Sequence, residues 1–151
     1  MIKAVKLFLK ENTTLDLLFS DRSVKRYDVL SLADKFPQLN GLNDRNLFLK
    51  GCLIGWGAVV WNDDLDISVE TIYEEGKDVS NEYENIENYI LGFQIKEKRL
   101  ELELTQSELA KRIGIDQSDL SKIEKGNANP SIKMIYKIVL GLNSTLTVTI
   151  N

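Results

Sequence analysis

Between residues 104 and 131 the chain reads LTQSELAKRIGIDQSDLSKIEKGNANPS, and its order of caps, apolar pairs and turn residues leaves few folds open. Thr105 and Glu108 stand in the T-x-x-E spacing of a capping box, in which each side chain satisfies a free amide at a helix start. Leu109 and Ile113 fall one turn apart on the inner face of that helix. Ala110 has almost no side chain where a second helix must cross closely. Gly114 comes where the chain has to reverse, and glycine takes a positive φ there at little cost. Asp116 is placed to cap the next helix, whose Leu120 and Ile123 form the matching apolar stripe. The pattern predicts two short helices joined by a tight turn, with a further helix just beyond. Gln117, Ser118, Ser121 and Lys122 stay polar on the outward face of the second helix, an arrangement that suits entry into a DNA major groove.

The motif resembles the helix-turn-helix domain of the phage repressor and Cro type, the large Xre-like family. The matching elements are L-T-Q at 104–106, E-L-A at 108–110, I-G-I at 113–115, S-K-I-E-K-G at 121–126 and N-P-S at 129–131. The resemblance covers residues 89–143. It implies a bacterial or phage transcriptional regulator with residues 117–125 as the recognition helix. It also implies a structural ion pair between Arg99 and Glu124, which occupy the positions of a conserved pair in that family. On this reading Gln117, Ser118, Ser121 and Lys122 read bases, while Gln106 and Asn127 touch phosphates. Asp119 departs from the neutral polar residue that many relatives carry. A carboxylate there favours the positive end of the helix dipole and repels phosphate, though it can accept from a cytosine amino group. The helix-capping role is the expected one.

Charge is the awkward datum for a protein that meets DNA, since the chain is at −4 overall. From residue 89 onward there are nine Lys+Arg against seven Asp+Glu, a net of +2, and residues 1–88 carry −6. Phosphate neutralisation supplies most non-specific affinity, so a single copy is expected to bind weakly. A homodimer compensates, because its second contact is nearly intramolecular.

The expected architecture is an α+β N-terminal domain over residues 1–78, a linker at 79–88, and an all-α repressor-like helix-turn-helix domain with a terminal β-strand over 89–151. The first domain is expected to hold a small, mostly antiparallel sheet with short helices. Residues 2–9, 14–19 and 24–27 read as strands, and 30–36 as a helix ending before Pro37. Residues 47–54 and 58–61 read as a hairpin around Gly55-Trp56-Gly57, 62–64 as a turn, and 68–75 as a helix closed by Gly76. F-S-D-R-S at 19–23, Tyr27-Asp28, V-V-W-N-D-D-L-D at 59–66 and I-Y-E-E-G at 72–76 resemble a small bacterial domain family of unknown function. That family occurs alone or fused to a helix-turn-helix. The polar, acidic stretch 77–88 reads as the link between domains. In the second domain Leu91, Ile95 and Leu102 or Leu104 should face inward from the first helix. The last helix should begin at Pro130, carry Ile132, Ile135, Val139 and Leu142 inward, and end at Asn143 in the left-handed conformation. Residues 145–150 alternate Thr with Leu146, Val148 and Ile150, the mark of a half-buried strand. Such a strand needs a partner for its amides and carbonyls, either the N-terminal sheet or a second chain. A strand in this place also resembles the antitoxin members of the family.

Other chemistry is poorly supplied. The chain has no histidine, which removes the usual general base and zinc ligand, and leaves Ser107, Ser118 and Ser121 without an activating partner. Asp63, Asp64 and Asp66 have the alternation of a calcium loop, but Ile67 stands where the central glycine belongs, so a solvated turn is expected. Glu74, Glu75, Glu82, Glu84 and Glu87 read as a solvated acidic face. Trp56 and Trp61 read as core or partner contacts rather than the lining of a ligand pocket. The single Cys52 excludes an internal disulfide and suits a reducing compartment. The apolar run 52–61 is too short to span a bilayer, and Met1-Ile2-Lys3 does not open a signal-peptide pattern. The expectation is therefore a cytoplasmic, non-enzymatic, homodimeric DNA-binding protein with no metal or cofactor. The rival is an antitoxin-like interaction module, whose acidic N-terminal domain binds a partner protein and for which DNA binding is secondary.

Overall fold

The structure, a computed structural model, describes residues 1–151, which divide into two compact units, Met1–Glu84 and Asn85–Asn151. In the first unit β1 (Ala4–Leu9), β2 (Thr14–Phe19) and β3 (Val24–Asp28) form an antiparallel meander. Strand alternation puts Leu15, Leu17 and Phe19 on one face of β2 and Asp16 and Leu18 on the other. The first set packs into a core with Tyr27, Val29, Phe48, Val59, Trp61, Ile67 and Ile72. A second sheet contributes Val59, Trp61 and Ile67 to that core through β4 (Cys52–Ile54), β5 (Ala58–Asn62) and β6 (Leu65–Ser68). Trp61 is anchored there by donating its indole N–H to the Phe48 carbonyl at 2.9 Å.

Several expected elements take a different form. Residues 30–36 make no α-helix; Asp28 caps a single 3-10 turn, Val29–Leu32, and a second 3-10 stretch runs over Pro37–Asn43. Phe36, held out of the helical region before Pro37 at φ −128° and ψ 78°, stops the turn from extending. Leu47 and Phe48, expected in a strand, lie in the one-turn helix α1 (Arg45–Phe48), started by the Asp44 carboxylate accepting from the Asn46 amide. Arg45 fixes α1 by donating to the carbonyls of Lys10 and Asn12 at 2.7 and 2.9 Å. Residues 65–67, between the expected turn and helix, form β6 with Ser68, and alternate with Leu65 and Ile67 buried and Asp66 and Ser68 exposed.

Residues 77–84 do not form the expected linker. After α2 (Val69–Glu75), the segment β7 (Lys77–Asp78) pairs with β3 and gives the sheet order β1-β2-β3-β7. Val79 is buried, and Tyr83 packs its ring 5.1 Å from that of Phe8. The cause is the polar face of β2. Asp16 is wholly buried and needs donors, which are Arg26 Nε and Nη2, both at 2.8 Å, and the Tyr83 hydroxyl. Burial and the adjacent carboxylate push the Tyr83 phenol well above its ordinary range. The stretch expected to link the domains is thus, as far as Glu84, part of the first one.

The second unit comprises α3 (Glu87–Glu101), α4 (Gln106–Ile113), α5 (Gln117–Glu124) and α6 (Ile132–Gly141). Ile95, Leu109, Ala110, Ile113, Leu120, Ile123, Ile138 and Leu142 form its core. Helix α6 starts after Pro130, because the Ser131 hydroxyl takes the Met134 amide at 3.1 Å and sets the cap there. Its inward row includes Met134, Ile138 and Leu142, while Ile132 faces out and is 71% exposed. Asn143 adopts a φ of 52°, as expected of a left-handed helix end. Residues 145–150 form no strand in the single chain, and Val148 and Ile150 are exposed. No strand of this chain pairs with them, so the ladder that their alternation suits is not made. No helix of the chain is long and apolar enough to cross a membrane.

Candidate nucleic-acid interface

Helix α4 begins with the expected capping box. The Glu108 amide donates to Thr105 Oγ1 at 3.1 Å, and the Thr105 amide donates to a Glu108 carboxylate oxygen at 2.7 Å. Those hydrogen bonds hold the Glu108 carboxyl below its usual range. The helix ends at Gly114, whose φ of 73° lets its amide and that of Ile115 both reach back to the Ala110 carbonyl. The reversed chain then enters α5. Asp116 occupies the N-cap position with extended backbone, but its side chain makes no cap hydrogen bond, contrary to the expectation from residue type. Backbone bonds from Asp119 and Leu120 to the Asp116 carbonyl start the helix instead.

Helix α5 buries Leu120, Ile123 and Glu124 and leaves Gln117, Ser118, Asp119 and Lys122 exposed, with Ser121 half-buried. At about 100° per residue, Ser118 and Lys122 sit opposite the buried side, with Asp119 on one flank and Ser121 and Gln117 on the other. Asn127 is exposed in the loop that follows, its amide bonded to the Lys122 carbonyl at 2.9 Å.

The end of α5 is held by a buried polar network. Arg99 Nε and Nη2 donate to the two Glu124 oxygens at 2.6 and 2.9 Å, and Nη1 donates to the Leu104 carbonyl at 2.6 Å. Arg99 and Glu124 are 6% and 7% exposed, so the expected pair is present and nearly dry. Gln106 joins it, donating from Nε2 to Glu124 at 2.8 Å. Its side chain, expected on phosphate, is thus half-buried and engaged at the protein side. One further residue escaped the sequence reading. Gly92 of α3 lies against the Ile123 and Glu124 carbonyls, so closely that a Cβ there would collide with both. A glycine inside the apolar run 89–93 of a helical stretch was the available signal.

Elsewhere, Asp63 and Asp64 form the exposed turn between β5 and β6, where Asn62 accepts the Asp64 amide. Trp56 is exposed beside Lys3, whose amine lies 5.3 Å from the ring centroid. It borders an open groove of about 490 Å³ with Ile2, Phe19, Val69 and Tyr73.

A capped helix, a left-handed glycine turn and a second helix pinned from behind define a repressor-type helix-turn-helix domain. Residues 95–148 match the family described as Helix-turn-helix, and the chain belongs to that family. An HTH-type transcriptional regulator of Archaeoglobus fulgidus is 44% identical over 52 residues, which are 34% of this chain and 73% of that protein. The ImmF control region 10 kDa protein of Bacillus phage phi105 is 43% identical over 58 residues, 38% of this chain and 64% of its own. An HTH-type transcriptional regulator of Methanothermobacter thermautotrophicus is 42% identical over 48 residues, 32% of this chain and 70% of its own. A crystal structure of a DNA-binding protein candidate from Nitrosomonas europaea aligns with 95% of this chain and 85% of its own at 16% identity and a TM-score of 0.43.

Proposed function

We propose that the chain is a sequence-specific DNA-binding transcriptional regulator that inserts α5 into the major groove. The observation that carries this is the outward row of Ser118 and Lys122, flanked by exposed Gln117, on a helix whose opposite side is buried and whose end is tied down by Arg99, Glu124 and Gln106. Such a helix presents donors and acceptors at fixed positions, which base reading requires. Ser121 reads from the flank of the same face. Phosphates meet the first turn of α4, where the amides of Gln106 and Ser107 point outward, and Asn127 in the following loop. Gln106 contributes through its backbone amide, since its side chain is engaged with Glu124.

The chain acts as a homodimer on this reading. Ile132, Tyr136 and Leu140 are exposed at successive turns of α6, and the alternating residues 145–150 lack a partner strand. A symmetric copy supplies both surfaces with their match. Dimeric helix-turn-helix proteins read half-sites about one DNA turn apart.

Selection of bound duplexes from random DNA tests the first part: a repeated half-site should emerge, and Gln117→Ala with Lys122→Ala should abolish its enrichment. Unchanged selection by that double variant overturns the assignment. Truncation after Asn143 tests the second: the shortened chain should run as a monomer with both units folded. A dimer that survives truncation excludes residues 145–150 from the interface.

A further inference from the structure

We infer that Asp119 is a specificity-determining residue that accepts a hydrogen bond from the exocyclic amino group of a cytosine in each half-site. The inference rests on the base-reading role proposed for α5. Asp119 stands in the first turn of α5, where the expected role at the positive end of the helix dipole needs no hydrogen bond, and its side chain makes none. It forms no ion pair either, although Lys122 lies one turn along the helix at the i+3 position. It is exposed, and it flanks the Ser118 and Lys122 row on the side away from Gln117 and Ser121.

A free carboxylate in the first turn of a groove-bound helix has few acceptable neighbours. It is acceptor-only, so a phosphate repels it, and so do the guanine edge with its two acceptors and the thymine O4. The cytosine edge offers an amino donor with no adjacent acceptor. The adenine edge offers a donor beside the N7 acceptor, and ranks second. Lys122 is a donor only and seeks the guanine acceptors that the same base pair places beside the cytosine. Acceptor and donor side chains one turn apart thus complement a C·G pair and oppose its reversal.

The test is selection from random duplexes at one fixed salt concentration, using the full chain, Asp119→Ala and Asp119→Asn, followed by competition binding with single-base variants of the selected site. The wild type should enrich cytosine at one position per half-site by about fivefold or more over guanine, the lower end of what one good base contact supplies. Asp119→Ala should flatten that position and leave the others as they were. Asp119→Asn should shift the same position toward adenine, which an amide reads with its donor and acceptor together. A wild-type motif that Asp119→Ala leaves unaltered overturns the inference and spares the base-reading role of α5. Uniform tightening on all sequences, the result for a carboxylate that merely repels phosphate, overturns it too. Absence of any enriched motif with the wild type overturns both.

Discussion

Removing Arg99 should cost the helix-turn-helix unit more than removing Arg99 and Glu124 together. Arg99→Met takes three hydrogen bonds at 2.6, 2.9 and 2.6 Å from a site in which both partners are more than nine-tenths buried. The Glu124 carboxylate then keeps only the Gln106 amide. An uncompensated buried charge of this kind costs about 3–5 kcal/mol. Pairing Arg99→Met with Glu124→Leu removes the charge and leaves the Leu104 carbonyl and the Gln106 amide underserved, at about 1–3 kcal/mol. In a unit of this size 1 kcal/mol moves Tm by about 4–8 °C, so the single variant should melt at least ~12 °C lower, and the double variant should recover part of that. Thermal unfolding followed by circular dichroism, on the full chain and on residues 85–151, measures both. A single variant within ~2 °C of wild type, or a double variant no better than the single one, refutes the claim that the network holds α5.

Tyr83→Phe removes a donor from the wholly buried Asp16 and should destabilise the first unit by about 1–3 kcal/mol in urea unfolding. A flexible linker predicts no change, and observing none would reverse the assignment of residues 77–84 to the sheet. Asp78 should titrate at about 2, below the ordinary 3.8, because the Ser80 hydroxyl and amide donate to its carboxylate. Its contribution to stability is then complete above pH 3.8 and lost as pH falls toward 2. Carboxyl resonances followed by NMR should show that midpoint, and Ser80→Ala should raise it; a wild-type midpoint near 3.8 would contradict the hydrogen-bond geometry.

The second unit was more legible in sequence than the first, for a physical reason. Thr105, Glu108 and Gly114 act on amides and dihedrals within a few residues of themselves, so their spacing alone is enough to read them. Arg99 and Glu124 are 25 residues apart and were placed together only through a family resemblance. In the first unit the short elements answer to distant partners. Val79 and Tyr83 sit in a stretch whose local composition is that of a linker, and their structure comes from Val24 and Asp16. Nothing local marks Asp16 as buried, because its donors arrive from β3 and from 67 residues downstream. Residues 145–150 fail in the opposite sense: their alternation is clear, and the single chain offers no strand to meet it. For the candidate site, exposure of Ser118 and Lys122 follows from helical period, but the engagement of Gln106 with Glu124 does not.

Gly92→Ala opposes two effects whose sizes decide the outcome. Alanine is favoured over glycine inside a helix by about 1 kcal/mol, so an open position would gain stability. Here the added Cβ would meet the Glu124 carbonyl oxygen at 2.6 Å and its carbon at 2.9 Å, besides the Ile123 oxygen. These are backbone atoms and have no rotamer to escape through. Overpacking against a fixed neighbour costs about 1–3 kcal/mol, so the collision should prevail and Tm should fall. The displaced segment carries Glu124 and with it the anchor of α5, an eight-residue helix too short to persist without tertiary support. Affinity for the selected operator should therefore drop by about tenfold or more at a temperature where circular dichroism still reports a folded unit, since base contacts worth about 1–3 kcal/mol each depend on that position. A Gly92→Ala variant that melts higher than wild type and binds equally well would mean that α3 yields at this point, and that the placement of α5 does not depend on this crossing.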